Sequence, residues 1–397
     1  MNSRFTKSAL AVAGLAAVFL SAIANGVAQP APAQSAATPA SPHTAPAQPA
    51  SGSTDAKTAE QAFKNIQVLK GIPSDQLQPA MQFISASLGV ECVFCHTQGA
   101  FDNDDKKPKQ AARKMIQMQM AINKESFEGH TAVTCNSCHR GSHDPVAIPI
   151  IPDEEPKPAA PAAEGASAAA RPTADQILDK YIQALGGAEA LQKISSRVEK
   201  GKVNIRDRQL PVEIFAKAPD KRFTISHGPN GDSITATDGH IGWLASNDRP
   251  AQEMSEADAS VFKLDADFRL ATDLKQIFTQ LRVGRPDKVA DKEVNQLIGV
   301  RQGQPPVRLF FDAQSGLLVR MVRYTETPLG RNPTQVDYAD YRDSGGVKIP
   351  YQWTVARPAG RFTIKVDQVQ DNVPIDDAKF AKPATPPPAP PAAQPKP

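Results

Sequence analysis

The sequence predicts a multidomain chain: a small α-helical unit, then an α+β unit dominated by one large antiparallel sheet, both strung on low-complexity connectors. Three observations predict it. Of 36 prolines, where average usage of about 5% gives roughly 20, 21 fall within residues 30–50, 145–172 and 383–397. Before residue 145, two helix-patterned segments each lead into the same short cysteine pattern. Beyond residue 190, short β runs alternate with glycine-containing turn pairs.

Arg4 and Lys7 precede an apolar run from Ala9 to Ala24, followed by small-residue sites at Ala22-Ile23-Ala24 and Gly26-Val27-Ala28, so residues 1–28 read as a secretory signal. The alternative is an uncleaved N-terminal anchor. No cysteine follows the run, which excludes lipid attachment there. Either way the chain is expected in the periplasm, where thiols persist only if paired or chemically used. Residues 29–56 are a Pro/Ala-rich tether too poor in large apolar side chains to order itself. A net charge of +3, from 45 basic and 42 acidic residues, excludes nucleic acid as an expected partner.

The unit from 57 to 145 holds every cysteine, in Cys92-Val93-Phe94-Cys95-His96 and Cys135-Asn136-Ser137-Cys138-His139. This spacing at a helix start puts two thiols on nearly one face, where they can add to the two vinyl groups of one haem. The next residue aims its imidazole at the iron. The two motifs therefore specify two covalently attached haems. A zinc site built from both pairs has no use for a histidine after each, and a thioredoxin-like motif wants a β-α-β setting that this neighbourhood lacks.

Each iron has a sixth position, usually filled by methionine or a second histidine in electron-transfer cytochromes. Leu77, Met81, Ile84 and Leu88 recur at helical spacing that Gly89 can end, and Ala111, Met115, Met118 and Ile122 repeat the pattern before the second motif. Met81 and Met115 hold equivalent places in what reads as an internal duplication, and are the axial-ligand candidates. The alternative is that they fill the core. For the second iron, Met118 on the same face and His130, before Cys135, stay open. Met120 is expected to pack elsewhere, and His143 to be an exposed loop residue.

These residues resemble the cytochrome c subunit of photosynthetic reaction centres. The resemblance runs over roughly residues 64–141, through KNIQVLKGI, MQFISASLGVECVFCH, ARKMIQMQMAIN and VTCNSCHRG. It implies that Cys92, Cys95, Cys135 and Cys138 hold haem and that His96, His139, Met81 and Met115 bind iron. In that family one haem instead takes a histidine from between the methionine helix and the next motif, and His130 sits in such a place. The family's subunit carries four haems. With two motifs, this chain is similar to half of it, so docking to a reaction centre does not follow.

A Pro/Ala-rich linker, 146–172, leads to the second unit, 173–382, and a Pro-rich tail, 383–397, follows. Thr173 and Gln176 form a capping box before a helix carrying Ile177, Leu178, Tyr181 and Leu185, which Gly186-Gly187 can stop. Strand-like runs at 212–215, 307–311, 317–324, 351–355 and 362–366 are separated by Asn230-Gly231, Asp238-Gly239, Ser315-Gly316 and Ala359-Gly360. A helical insert is expected over about 255–281. One helix followed by many hairpins resembles the lipoprotein-carrier fold, a curved half-barrel sheet on a helix with an apolar cavity between them. No catalytic constellation is present: His227 and His240 lie apart, Asp376-Asp377 reads as a turn, and Trp243 and Trp353 as core or pocket lining.

The expected function is electron transfer through two haems, without enzymatic activity, to a redox partner protein that can belong to a membrane-associated complex. The alternatives are an apolar-ligand or partner-binding β module with an attached haem sensor, and a haem peroxidase-like enzyme with an open iron position. The linker composition predicts two units with separate cores and no rigid coupling.

Overall fold

The structure, a computed structural model, describes residues 57–146, 171–246, 249–358 and 360–383. The expected signal, the tether, nearly all of the linker and of the tail, and Ala359 of one turn pair lie outside the described residues.

The first unit is helical. Helix α1 (Ala59–Ala62) starts at a capping box of Thr58 and Gln61, and a 3-10 turn at Ser74–Gln76 runs into α2 (Leu77–Leu88). Gly89 ends α2 at φ 66°, and a Cβ there would stand 2.1 Å from the Gly141 carbonyl oxygen. Glycine thus both reverses the chain and lets two backbones touch. Then come α3 (Cys92–Cys95), α4 (Lys107–Ser126) and α5 (Cys135–His139).

The second unit begins with α6 (Ala174–Ala184), where Thr173 accepts from the Gln176 amide at 3.2 Å as its capping box requires, and α7 (Ala188–Gln192). A meander follows: β1 (Ser196–Ile205), β2 (Arg208–Lys217), β3 (Lys221–Gly228), β4 (Gly231–Thr237), β5 (Gly242–Ser246) and β6 (Arg249–Glu253). Helices α8 (Glu256–Ala266) and α9 (Leu270–Ile277) occupy the expected insert. A second run returns through β7 (Gln280–Val283), β8 (Asp287–Val289), β9 (Lys292–Arg301), β10 (Gln304–Asp312), β11 (Leu318–Thr327), β12 (Gly330–Ser344), β13 (Val347–Arg357) and β14 (Gly360–Asp371).

Among the described residues these strands form one antiparallel sheet in the order β6-β5-β4-β3-β2-β1-β14-β13-β12-β11-β10-β9-β7, with β8 on β9. Pairing of β1 with β14 joins the two runs, and the sheet stays open at β6 and β7. Alternation does what period-2 patterning requires: Ile364 and Val366 are buried while Lys365 and Asp367 are exposed. Ile177, Leu178 and Tyr181 of α6 and Leu274 of α9 pack with Leu297, Leu309 and Phe311 on one face. Arg323 of β11, 2% exposed, pins α8 through a two-point ion pair with Asp265. The Trp243 indole, buried as core, donates to the Phe380 carbonyl at 2.9 Å, and Asp376 caps the turn at Asp377–Lys379.

The expectation of two separate cores meets a difference. Leu329, between β11 and β12, is 0% exposed and lies in one cluster with Leu69, Ala80, Phe83, Ile84 and Ile116 of the helical unit. The cause is size: a unit of fewer than 100 residues has too little apolar surface of its own to close a core, and takes Leu329 to finish it.

Candidate functional site

The two cysteine motifs have the same local build. Each pair sits on one helical turn, α3 or α5, whose first residue is a cysteine. All four thiols are free, Cys92 and Cys138 exposed, Cys95 and Cys135 half-buried. Burial pushes the Cys95 and Cys135 thiols up from their ordinary value. Among the described residues, no three His, Cys, Asp or Glu side chains gather as a metal cluster, so the four thiols do not form the cage a zinc ribbon has.

The histidines are oriented alike. His96 Nδ1 lies 2.9 Å from the Phe101 carbonyl oxygen, and His139 Nδ1 lies 3.0 Å from that of Ser142. A carbonyl can only accept, so each Nδ1 carries the proton and each Nε2 keeps its lone pair for an iron. The Lys109 ammonium donates to the same Phe101 carbonyl at 2.9 Å and to that of Asn103 at 2.6 Å. Asp104 ties this loop to α4, pairing with Arg113 at 2.8 Å and Lys109 at 3.1 Å. Those partners, with Asn65, hold its carboxyl well below the usual carboxylate range. Sequence reasoning missed Lys109 and Asp104, because a charged loop beside a helix start reads simply as a solvated one.

Helix α4 packs in an unexpected sense. Its buried face is Lys109, Ile116, Gln119 and Asn123, mostly polar. The apolar stripe carrying Met115 and Met118 lies roughly 100° around the helix, with Met115 44% and Met118 47% exposed. Polar residues face inward because they hold backbone: Gln119 and Asn123 both donate to the Val133 carbonyl, at 2.8 and 2.7 Å. Met120, at 45%, is as exposed as the other two. Met81 is half-buried and packs on the cluster of Ala80, Phe83 and Ile84. His130 is exposed in the loop after α4, and His143 pairs with Asp144 at 3.1 Å while its ring lies 5.8 Å from that of Phe94. Helix α2 packs on the second motif: Cys135 lies on the α2 cluster, and the Gly141 amide donates to the Ser87 carbonyl at 2.8 Å. The two motifs and both methionine helices are thus one assembly.

These residues fit haem. The donor set is two thiols and one Nε2 lone pair per motif; Val93 and Phe94 of the first motif, with Phe101, Met115, Met118 and Phe127 elsewhere in the helical unit, leave apolar surface uncovered.

Residues 20–189 match the photosynthetic reaction centre cytochrome c subunit family. The reaction-centre cytochrome c subunit of Roseobacter denitrificans is 35% identical over 101 residues, 23% of this chain and 27% of that protein. The subunit of Thermochromatium tepidum is 32% identical over 101 residues, 24% and 25% of the two chains. Cytochrome c-554 of Chloroflexus aurantiacus is 35% identical over 85 residues, 20% of each chain. The chain spans about a quarter of the length of the first two cytochrome subunits. Within the matched residues, the pairs Cys92/Cys95 and Cys135/Cys138 are consistent with covalent attachment of haem c.

The β unit is similar to other solved structures. A LolA superfamily protein from Nitrosomonas europaea is 13% identical with a TM-score of 0.38, covering 53% of this chain and 99% of that one. Lipoprotein LppX of Mycobacterium tuberculosis is 10% identical with a TM-score of 0.23, covering 51% and 99%. Between α6, α9 and the sheet lies a cavity of 150 Å³ lined by Tyr181, Leu185, Phe268, Leu270, Tyr338 and Ile349. That is below the roughly 300–1,000 Å³ of small-molecule sites. No helix among the described residues is long and apolar enough to cross a membrane.

Proposed function

We propose that this chain is a periplasmic di-haem c-type cytochrome that passes electrons to a redox partner protein, exported by a signal in residues 1–28. The carrying observation is the matched pair of histidines. His96 and His139 each give Nδ1–H to a backbone carbonyl just past their own motif, leaving Nε2 for iron. Cys92 with Cys95, and Cys135 with Cys138, hold one haem each, and bound haem supplies one-electron exchange at its iron.

Met81 provides the sixth ligand of the first site and Met115 of the second, with His130 the competing donor there. The uncovered methionine stripe of α4 supports the second assignment. A helix that turns polar residues inward and leaves Met115 outward has an apolar face awaiting another apolar body. Filled sixth positions keep small molecules off the iron, which favours electron transfer over peroxidase chemistry. Carriage of an apolar ligand by the β unit is the second reading, and the 150 Å³ cavity between α6, α9 and the sheet, below the size of small-molecule sites, lends it no support.

Maturation in a host with haem-attachment machinery tests the proposal. Two haems per chain that survive denaturation, with the reduced protein excluding carbon monoxide, are the expected result. One haem, or ready carbon monoxide binding at both irons, would overturn it.

A further inference from the structure

We propose that the turn between β11 and β12 is a clamp that holds α2 in register, so that the β unit maintains the ligation of the first haem by Met81. This rests on the reading of Met81 as an axial ligand. The turn is closed by the Thr327 hydroxyl, which donates to the Gly330 carbonyl at 2.7 Å and accepts from the Leu329 amide at 3.3 Å. Glu326 and Arg331 pair across it at 2.7 Å. Such a hairpin tip ordinarily faces water. Here Leu329 is 0% exposed, set among Ala80, Phe83 and Ile84, and Met81 packs on the same cluster. Gly330 sits at φ +152° with the Phe83 ring against its backbone; a Cβ would stand 2.4 Å from Cζ of that ring. The Asn332 amide donates to the Pro79 carbonyl at 2.9 Å.

These contacts bracket Met81, at Pro79 and Ala80 before it and at Phe83 and Ile84 after it. A helix as short as the 12 residues of α2 is marginal by itself, so packing decides where its side chains stand. The clamp comes from far along the chain, which makes the sheet a positioning device for the redox centre. Leu329, Gly330 and Asn332 are therefore positioning residues, acting on iron only through Met81.

Full-length protein matured with haem is compared as wild type, Leu329→Ala, Leu329→Met, Gly330→Ala and Met81→Ala. Covalent haem content, redox titration, carbon monoxide binding and far-UV circular dichroism are read on each. In Leu329→Ala both haems are expected to stay attached, while one moves to lower potential and its iron gains carbon monoxide binding. Leu329→Met should restore the wild-type values. Should Leu329→Ala fail to fold, Gly330→Ala, which displaces Phe83 without removing apolar cover, carries the same expectation. Unchanged potentials and no carbon monoxide binding in the folded variant would overturn the clamp while Met81→Ala still shifts one potential. A Met81→Ala protein with both potentials intact would instead sink the ligand reading, and the clamp with it.

Discussion

Asn123 and Val133 hold each other by a reciprocal pair of hydrogen bonds. The Asn123 amide donates to the Val133 carbonyl at 2.7 Å, and the Val133 amide donates to Asn123 Oδ1 at 2.9 Å. One side chain, 6% exposed, therefore anchors the backbone just before Thr134, the N-cap of the second motif, to the methionine helix α4.

Replacing that side chain should loosen the second motif. Asn123→Ala leaves the amides of Ala132 and Val133 without their side-chain acceptor, at a cost of about 0.5–1.5 kcal/mol for each lost bond. We expect a lower melting temperature and fewer chains carrying the second haem, with the first haem retained. Melting curves and haem content per chain decide it; wild-type values for both would show that Asn123 is not the tie.

Haem stoichiometry follows from the motifs. Cys92→Ala with Cys95→Ala should leave one denaturation-resistant haem per chain, because thioether bonds are covalent. Haem content of the denatured protein measures this. Two haems in that variant, or zinc in place of iron, would refute the assignment.

Axial ligation separates two methionines. Met81→Ala should lower the potential of one haem and open its iron to carbon monoxide, since a thioether ligand raises the potential. Met120→Ala should do neither. If redox titration finds the two variants alike, Met81 is only a packing residue.

Stability of the β unit should depend on pH through Asp267. Burial raises its carboxyl from 3.8 to about 6, even though Oδ1 accepts from the Arg269 amide at 2.9 Å. The folded state thus holds this proton more tightly than the unfolded chain. The resulting stabilisation is complete below 3.8 and is lost as pH rises through about 6. Asp267→Asn, which keeps an acceptor for Arg269, should therefore stabilise the protein by roughly 1–3 kcal/mol at pH 8 and by little at pH 4. Equal gains at both values, from denaturant titrations, would rule out titration as the cause.

Much of the fold is legible in local patterns. Gly89 ends α2, Thr173 and Gln176 cap α6, and the alternation of Ile364 and Val366 with Lys365 and Asp367 marks a strand with one buried face. The doubled C-x-x-C-H motif is also local, since its meaning depends on side chains one helical turn apart. The acceptors for His96 and His139 are not legible. They are the backbone carbonyls of Phe101 and Ser142, and a carbonyl is the same on every residue.

Spacing could assign Met115 to an apolar stripe, but only the packing of Gln119 and Asn123 against Val133 shows that α4 turns a polar face inward and leaves that stripe outside. Nothing near Leu329 in the chain marks it as core, because its partners Ala80, Phe83 and Ile84 are remote in sequence. Short-range chemistry is written into composition and spacing. Burial depends on which distant surface closes over a residue, and that emerges only when the whole chain has folded.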